Sequence, residues 1–373
     1  MSSQDILVFV EDPGAANYVL QLPSHQASSG YRMNLFADGH AVPYLAAHQV
    51  EATQVEAGVT AKSLLSKYHP RLVVVGTSEN PQTLGLKLIA EARERKLESV
   101  GIVDALANSA FRFRGGTDDP LAFSPDWLLV PDAATAATYM ALGYPSSRLL
   151  VCGHPHYDHV MHLREQWDDG YRRTLREDVF PGVASHQRVV VFATELSVGL
   201  NSSQFLRSEE YTLMGRGERH TRTEIVLEEF LDAISLLRPQ PYLVLRLHPK
   251  NTPDDFSDFL GAFHHVSQGG SPLPLLFAAD FVVGMTSSLL AEATLLGRQT
   301  LSIIPRACES QWLPLGDLIP SVTSRSALQG VLRTWADTSL STFSAPVLEA
   351  SMPTNSLQTI SRFLISRLSS QPC

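Results

Sequence analysis

The chain has 373 residues, 44% of them hydrophobic and 18% charged. That balance excludes a disordered polymer and gives enough length for two domains rather than one core. A formal net charge of −9 excludes a surface built for bulk binding to DNA or RNA. Three cysteines, Cys152, Cys308 and Cys373, without CxxC spacing, fit neither a disulfide framework nor a zinc site and point to a reducing, cytoplasmic setting.

The N-terminal "MSSQDILVFVEDPG" has no basic n-region, and its apolar run reads as a first strand, Asp5–Val10, rather than a signal peptide. The turn "EDPGAAN" follows. Further strands are expected at Arg32–Ala37, Arg71–Thr77, Glu98–Asp104, Asp126–Asp132 and Arg148–Gly153, with helices over 81–96 and Ala133–Leu142. These strands are continuous apolar runs, the mark of a parallel sheet covered on both faces. After "GHPHYD" (Gly153–Asp158) a charged helix, Met161–Arg176, reads as a bridge. The plan then repeats. Strands are expected at Gln187–Glu195, Tyr242–Pro249, "HHVSQ", "FVVGM", "TLSII" and "IPSV", with helices at Thr223–Leu237, "LPLLFAAD" and Asn355–Leu368. The polar stretch Leu196–Arg222, bearing Arg216, Arg219 and Arg222, reads as a surface loop, with closure over a diphosphate or an acidic acceptor as the alternative. No apolar stretch approaches the roughly 20 residues that span a bilayer. Transient association with a membrane-bound substrate stays compatible. The expected fold is α/β, two Rossmann-like domains facing across a cleft. The first covers 1–160, a linker helix 161–184, the second domain 185–350, and a C-terminal segment 351–373 packs back on the first domain.

Ligands of open α/β sheets bind outside the carboxyl ends of the strands, so the strand ends hold the candidate residues. After the first strand stand Glu11, Asp12, Gly14 and Asn17. Asp12 is the candidate general base, its turn fixed by Pro13 and Gly14, with Glu11 beside it. After the fourth come Asp104 and Asn108, then Arg112 and Arg114 flanking Phe113, two guanidinium groups suited to a carboxylate or phosphate. After "YLVLRL" come His248 and Lys250 around Pro249, placed to hold a phosphate oxygen or donate a proton to it. Thr286, Ser287 and Ser288 stand at a helix start, where free N–H groups and the dipole favour an anion. Glu292 lies one turn further along the same face, where a carboxylate can accept from a ribose diol. No capping box explains it, because the box places Glu three residues after the cap. "TDDP" and "PDDF" read as turn and cap chemistry, so no metal and no cofactor is expected.

"GHPHYD", "LHPK" and "TSSLLAEATLLG" together resemble the GT-B glycosyltransferase superfamily. The nearest resemblance is to bacterial surface-polysaccharide enzymes with HP and SS motifs: sialyl- and polysialyltransferases, Kdo transferases and CDP-glycerol glycerophosphotransferases. The resemblance implies that His248, Ser287 and Ser288 contact the donor phosphate and that Glu292 binds the donor ribose. It implies a CMP-, CDP- or UDP-linked donor held by the second domain, with cytidine favoured, and a hydroxyl acceptor on the first. The acidic element that supplies the base in sialyltransferase-like enzymes is similar to Glu11-Asp12-Pro13-Gly14, with an inserted Pro. The expected activity is a metal-independent, inverting sugar transfer in polysaccharide or glycoconjugate biosynthesis. Two alternatives stay open: an epimerase or hydrolase of the UDP-GlcNAc 2-epimerase type, whose Ser-Gly-Gly…Glu motif is a poorer match, and a non-catalytic nucleotide-binding protein of the same fold.

Overall fold

The computed structural model describes residues 6–29, 31–78, 80–196, 202–309, 313, 315–338 and 353–369. The chain divides into two compact units, Met1–His159 with Met352–Cys373, and Val160–Ser351.

In the first unit the elements follow as β1 (Ile6–Val10), α1 (Pro13–Val19), α2 (Leu22–Ser29), β2 (Met33–Ala37), α3 (Ala41–Ala47), β3 (Thr53–Gln54), α4 (Ala61–Tyr68), β4 (Leu72–Gly76), α5 (Leu84–Glu94), β5 (Glu98–Ile102), α6 (Ser109–Arg112), β6 (Trp127–Val130), α7 (Ala133–Ala141) and β7 (Leu149–Val151). They build a parallel sheet in the order β3-β2-β1-β4-β5-β6-β7. The apolar runs explain it, because alternate residues face opposite sides of a strand. Ile6, Val8 and Val10 join Tyr18 and Leu45 on one side, while Leu7 and Phe9 join Leu64 and Ile89 on the other. The C-terminal helix Ser356–Ser369 sends Ile360 and Leu364 into the first of these clusters. "EDPGAAN" is not a free turn. Pro13 starts α1 with Asp12 as its N-cap, which suits a residue with fixed φ and no N–H to satisfy.

The division between the units falls inside α8 (Pro155–Gln166). The single bridging helix expected over Met161–Arg176 is instead two helices, because Asp168 caps a new one, α9 (Asp169–Val179), by accepting from Tyr171 N at 2.7 Å. Arg172 and Arg176 of α9 both reach Asp280, at 2.7 and 3.0 Å. The second unit continues with β8 (Val189–Ala193), α10 (Ser202–Phe205), α11 (Arg222–Ile234), β9 (Tyr242–Arg246), β10 (His265–Ser267), α12 (Leu273–Ala278), β11 (Phe281–Gly284), α13 (Ser288–Leu295), β12 (Gln299–Ile303), β13 (Ser321–Val322) and α14 (Arg325–Asp337). Its parallel sheet runs β10-β9-β8-β11-β12-β13, with Val190, Phe192, Phe230, Leu245 and Leu332 in one core.

Residues 202–222 are mostly exposed or half-exposed loop and turn, as the surface-loop reading expects, but they are held in place by ion pairs and backbone bonds; residues 197–201 lie outside the described residues. Glu229 accepts from Met214 N and Gly215 N, and Glu228 from Arg216 N. Arg216 pairs with Asp232, and Arg219 with Glu224, Glu228 and Asp258. The carboxylates of α11 thus tie down the segment that precedes it, so Arg216 and Arg219 are committed within the fold.

Candidate phosphate-binding site

In the second unit the chain leaves β8 toward neighbours on opposite sides, β9 and β11. That reversal of strand order opens a crevice at the carboxyl edge. The ends of β9 and β11 stand about 10 Å apart there, two strand spacings.

At the end of β9 the backbone turns through His248-Pro249-Lys250-Asn251. Thr194, just past β8, fastens this turn: it accepts from His248 N at 2.9 Å and donates to Asn251 Oδ1 at 3.0 Å. Lys250 N donates to His248 Nδ1 at 3.1 Å. Nδ1 therefore carries the lone pair, and a neutral His248 ring carries its proton on Nε2. The ring is half-buried, so that donor is held in one orientation at the sheet edge. Downstream, Thr252 N donates to Asp255 Oδ2 at 2.8 Å in a capping box over "PDDF", the cap chemistry expected for that element.

Past β11 the three hydroxyls divide. Ser287 is the N-cap of α13 and accepts from Leu289 N at 3.3 Å, leaving its hydroxyl proton to donate elsewhere. Ser288 is exposed. Thr286 is buried, and both its N–H and its hydroxyl go to Glu195, the latter at 3.0 Å. Glu292 is only 2% exposed; α13 buries this carboxylate while Ser288, one turn earlier, stays in solvent.

Glu195 was absorbed into the expected strand Gln187–Glu195. The strand ends at Ala193, and Glu195 stands at the crevice, tying the end of β8 to the start of α13. Burial pushes its carboxyl up, against the opposing pull of Arg222 and the Thr286 bonds. Arg222, 1% exposed, lies 3.7 Å from Glu195 and also pairs with Glu309. Arg306 approaches Glu309 at 3.5 Å, covers the Tyr211 ring and donates to the Gln204 and Leu206 carbonyls at 3.2 and 3.1 Å. The available signal was a charged residue two or three positions past each of two apolar strands, in "VVVFATE" and "TLSIIPR".

The first unit has the same reversal between β2 and β4 around β1. Glu11 accepts from Asn80 Nδ2 at 2.7 Å and from the Thr83 hydroxyl, so it braces the loop before α5. Asp12 is half-buried at the start of α1, with no side-chain bond to that helix's amides. Asp104 accepts from Thr77 at 3.2 Å and from Arg112 at 3.1 Å. A Cβ on Gly14 would run into Asp104 Oδ2, so it is Asp104 that requires a glycine there. Arg112 is buried and also bonds Thr77 and the Ala107 carbonyl. Its expected partner Arg114 instead covers the Phe111 ring at 4.2 Å, and Phe113 lies in the core. The two arginines therefore serve different contacts. Asn17 is buried on α1, and Asn108 holds a left-handed conformation before α6.

Among the described residues no group of three His, Cys, Asp or Glu side chains is arranged to hold a metal. Nor is any described helix long and apolar enough to cross a membrane.

No protein-family model matches the chain, and no curated protein matches it. Solved structures do. UDP-GlcNAc 2-epimerase from Neisseria meningitidis, bound to UDP-GlcNAc, superposes with a TM-score of 0.67 at 14% identity, covering 97% of this chain and 100% of that one. HepE from Anabaena, in complex with UDP and glucose, gives 0.64 at 13% identity, covering 99% and 100%. A glycosyltransferase from Rickettsia africae gives 0.61 at 10% identity, covering 100% of both chains. At these identities the likeness establishes the fold: two Rossmann-like parallel-sheet units of the GT-B type.

Proposed function

We propose that the protein binds a nucleotide-activated sugar at the carboxyl edge of the second unit's sheet and transfers the sugar to a hydroxyl acceptor, without a metal and with inversion. The observation that carries this reading is the pairing at one strand-order reversal of a helix start bearing Ser287 and Ser288 with a histidine whose Nε2 carries the ring proton. Both features suit a phosphate.

In this reading the bond from the anomeric carbon to the donor phosphate oxygen breaks, and the leaving nucleotide keeps the electron pair. Negative charge grows on that oxygen, where the start of α13, Lys250 and the His248 Nε2–H stabilise it. Asp12 takes the proton of the acceptor hydroxyl as its oxygen attacks. Glu292 accepts from the ribose hydroxyls. Asn17, Asn108 and Arg114 contact the acceptor, while Glu11, Gly14, Asp104 and Arg112 frame that site through the bonds described above. The UDP bound by the structural neighbours supports a uridine donor; the paired His-Pro and Ser-Ser motifs favour cytidine.

A second reading has specific support, since several of the similar structures are UDP-GlcNAc 2-epimerases. An epimerase needs no acceptor. Incubation with nucleotide sugars, with and without a set of glycan acceptors, separates the two by chromatography and proton NMR. Transfer predicts nucleotide release that depends on the acceptor and is lost in Asp12→Asn. Epimer formation without acceptor would select the second reading, and no turnover of any nucleotide sugar under either condition would refute both.

A further inference from the structure

Thr194 and Glu195 are consecutive, and each is committed to a different arm of the phosphate crevice. Thr194 is 1% exposed, and its single hydroxyl serves the β9 arm twice, accepting from His248 N and donating to Asn251 Oδ1. Asn251 N in turn donates to the His248 carbonyl at 2.8 Å, which closes the turn that carries His248. Thr194 N donates to the Arg246 carbonyl at 2.9 Å, so its backbone is tied to β9 as well. Glu195 serves the α13 arm, where its two carboxylate oxygens accept from the Thr286 N–H and hydroxyl. Both donors of Thr286 are thereby spent, and the donors this arm can offer a phosphate are those of Ser287 and Ser288.

The pair has its own anchor on α11. Arg222 stands 3.7 Å from the Glu195 carboxylate, and the Thr223 hydroxyl donates to the Glu195 carbonyl at 3.3 Å. Arg222 also pairs with Glu309, beyond β12. Sheet hydrogen bonds fix the ends of β9 and β11, but His248 lies past Arg246, the last residue of β9, and Ser287 past Gly284, the last of β11. Their separation is therefore set by whatever holds these loops. A ligand gripped from both sides binds more tightly when that separation exists before it arrives, because less ordering is left to the binding step.

We propose that Thr194 and Glu195 are positioning residues that lock the His248 turn and the start of α13 to one another, so that a nucleotide phosphate is gripped from both arms at once. The proposal rests on the phosphate-site reading above and gives neither residue a contact with the ligand.

Titration calorimetry with UDP and CMP on the full chain tests it. Glu195→Gln is the reference, since its amide removes the charge and can keep both bonds to Thr286; Glu195→Ala breaks them. His248→Ala is then added to each, a double-mutant cycle across the two arms. In the Gln background the loss of His248 should weaken the nucleotide at least tenfold. In the Ala background the same change should cost less than threefold, because an unregistered α13 lets the phosphate engage only one arm. Thr194→Val, which keeps the volume and loses the hydroxyl, should weaken the nucleotide at least tenfold, while Thr194→Ser stays within threefold of the wild type. Equal costs of His248→Ala in the two backgrounds would overturn the proposal, as would wild-type affinity in Thr194→Val. Failure of both nucleotides to bind the wild type would instead remove the phosphate site itself, and the locking role with it.

Discussion

Arg222 is the side chain whose removal should most disturb the phosphate crevice. It is 1% exposed and stands between Glu195, at 3.7 Å, and Glu309. Replacing it with Met keeps most of the volume but leaves the largely buried Glu195 without its cation, while Glu309 keeps only Arg306. Removing one partner of a buried ion pair costs about 3–5 kcal/mol. The second unit spans Val160–Ser351, and in a domain of that size 1 kcal/mol moves Tm by about 2–4 °C, so Arg222→Met should melt roughly 6–20 °C lower at pH 7. The loss carries a pH signature. Burial already holds the Glu195 carboxyl above its ordinary value, and Arg222 is the strongest influence pulling it back. Without Arg222 the native state binds a proton that the unfolded chain has released, across the window above the ordinary carboxylate value. Stability then falls as pH rises through that window and recovers as pH drops. Calorimetric melts at pH 5, 6 and 7 should therefore show the gap to wild type narrowing toward pH 5. The double variant Arg222→Met with Glu195→Gln should regain part of the loss at pH 7. A deficit under about 1 kcal/mol, or one that does not change with pH, would refute the reasoning.

Gly14→Ala should lower Tm by a few degrees, because the new methyl displaces the Asp104 carboxylate from Thr77 and Arg112, an overpacking cost of about 1–3 kcal/mol; an unchanged melting curve would show that Asp104 can yield freely. Phe230→Ala empties a fully buried position against Phe192 and should cost about 3–5 kcal/mol, read as a lower midpoint in urea with an unchanged slope. Binding of UDP-GlcNAc, whose diphosphate does not titrate between pH 5 and 8, should weaken as pH rises and ionised Glu195 comes to repel it beside α13. In Glu195→Gln that dependence should disappear, and a persisting slope would place another group at the site.

The strands were legible because buried parallel strands are written as unbroken apolar runs; "VVVFA" and "LVVVG" need no partner to be recognised. His248, Ser287 and Ser288 were legible for a related reason, since a polar residue directly after such a run lies at the carboxyl edge. Pro13 hid α1: the Asp-Pro-Gly run signals a turn as strongly as a helix start, and only packing decided between them. Residues 202–222 carry no apolar periodicity, and their order comes from carboxylates of α11 that meet them only in the folded chain. The split of α8 from α9 rests on one Asp168 side chain accepting a backbone amide, a contact that a charged helical stretch does not reveal. Glu195 escaped because nothing in the apolar run shows that the strand stops at Ala193, two residues short of it.

The central claim, a nucleotide held at the His248 and α13 edge, is tested most directly by thermal shift with CMP, CDP, UMP, UDP, GDP and TDP on the wild type and on His248→Ala. A nucleotide at about 100 times its Kd should stabilise the chain by roughly 2.7 kcal/mol. The account predicts a shift from uridine or cytidine nucleotides that is lost in His248→Ala, while that variant alone melts like the wild type. No shift with any nucleotide, or a shift that survives His248→Ala undiminished, would contradict it.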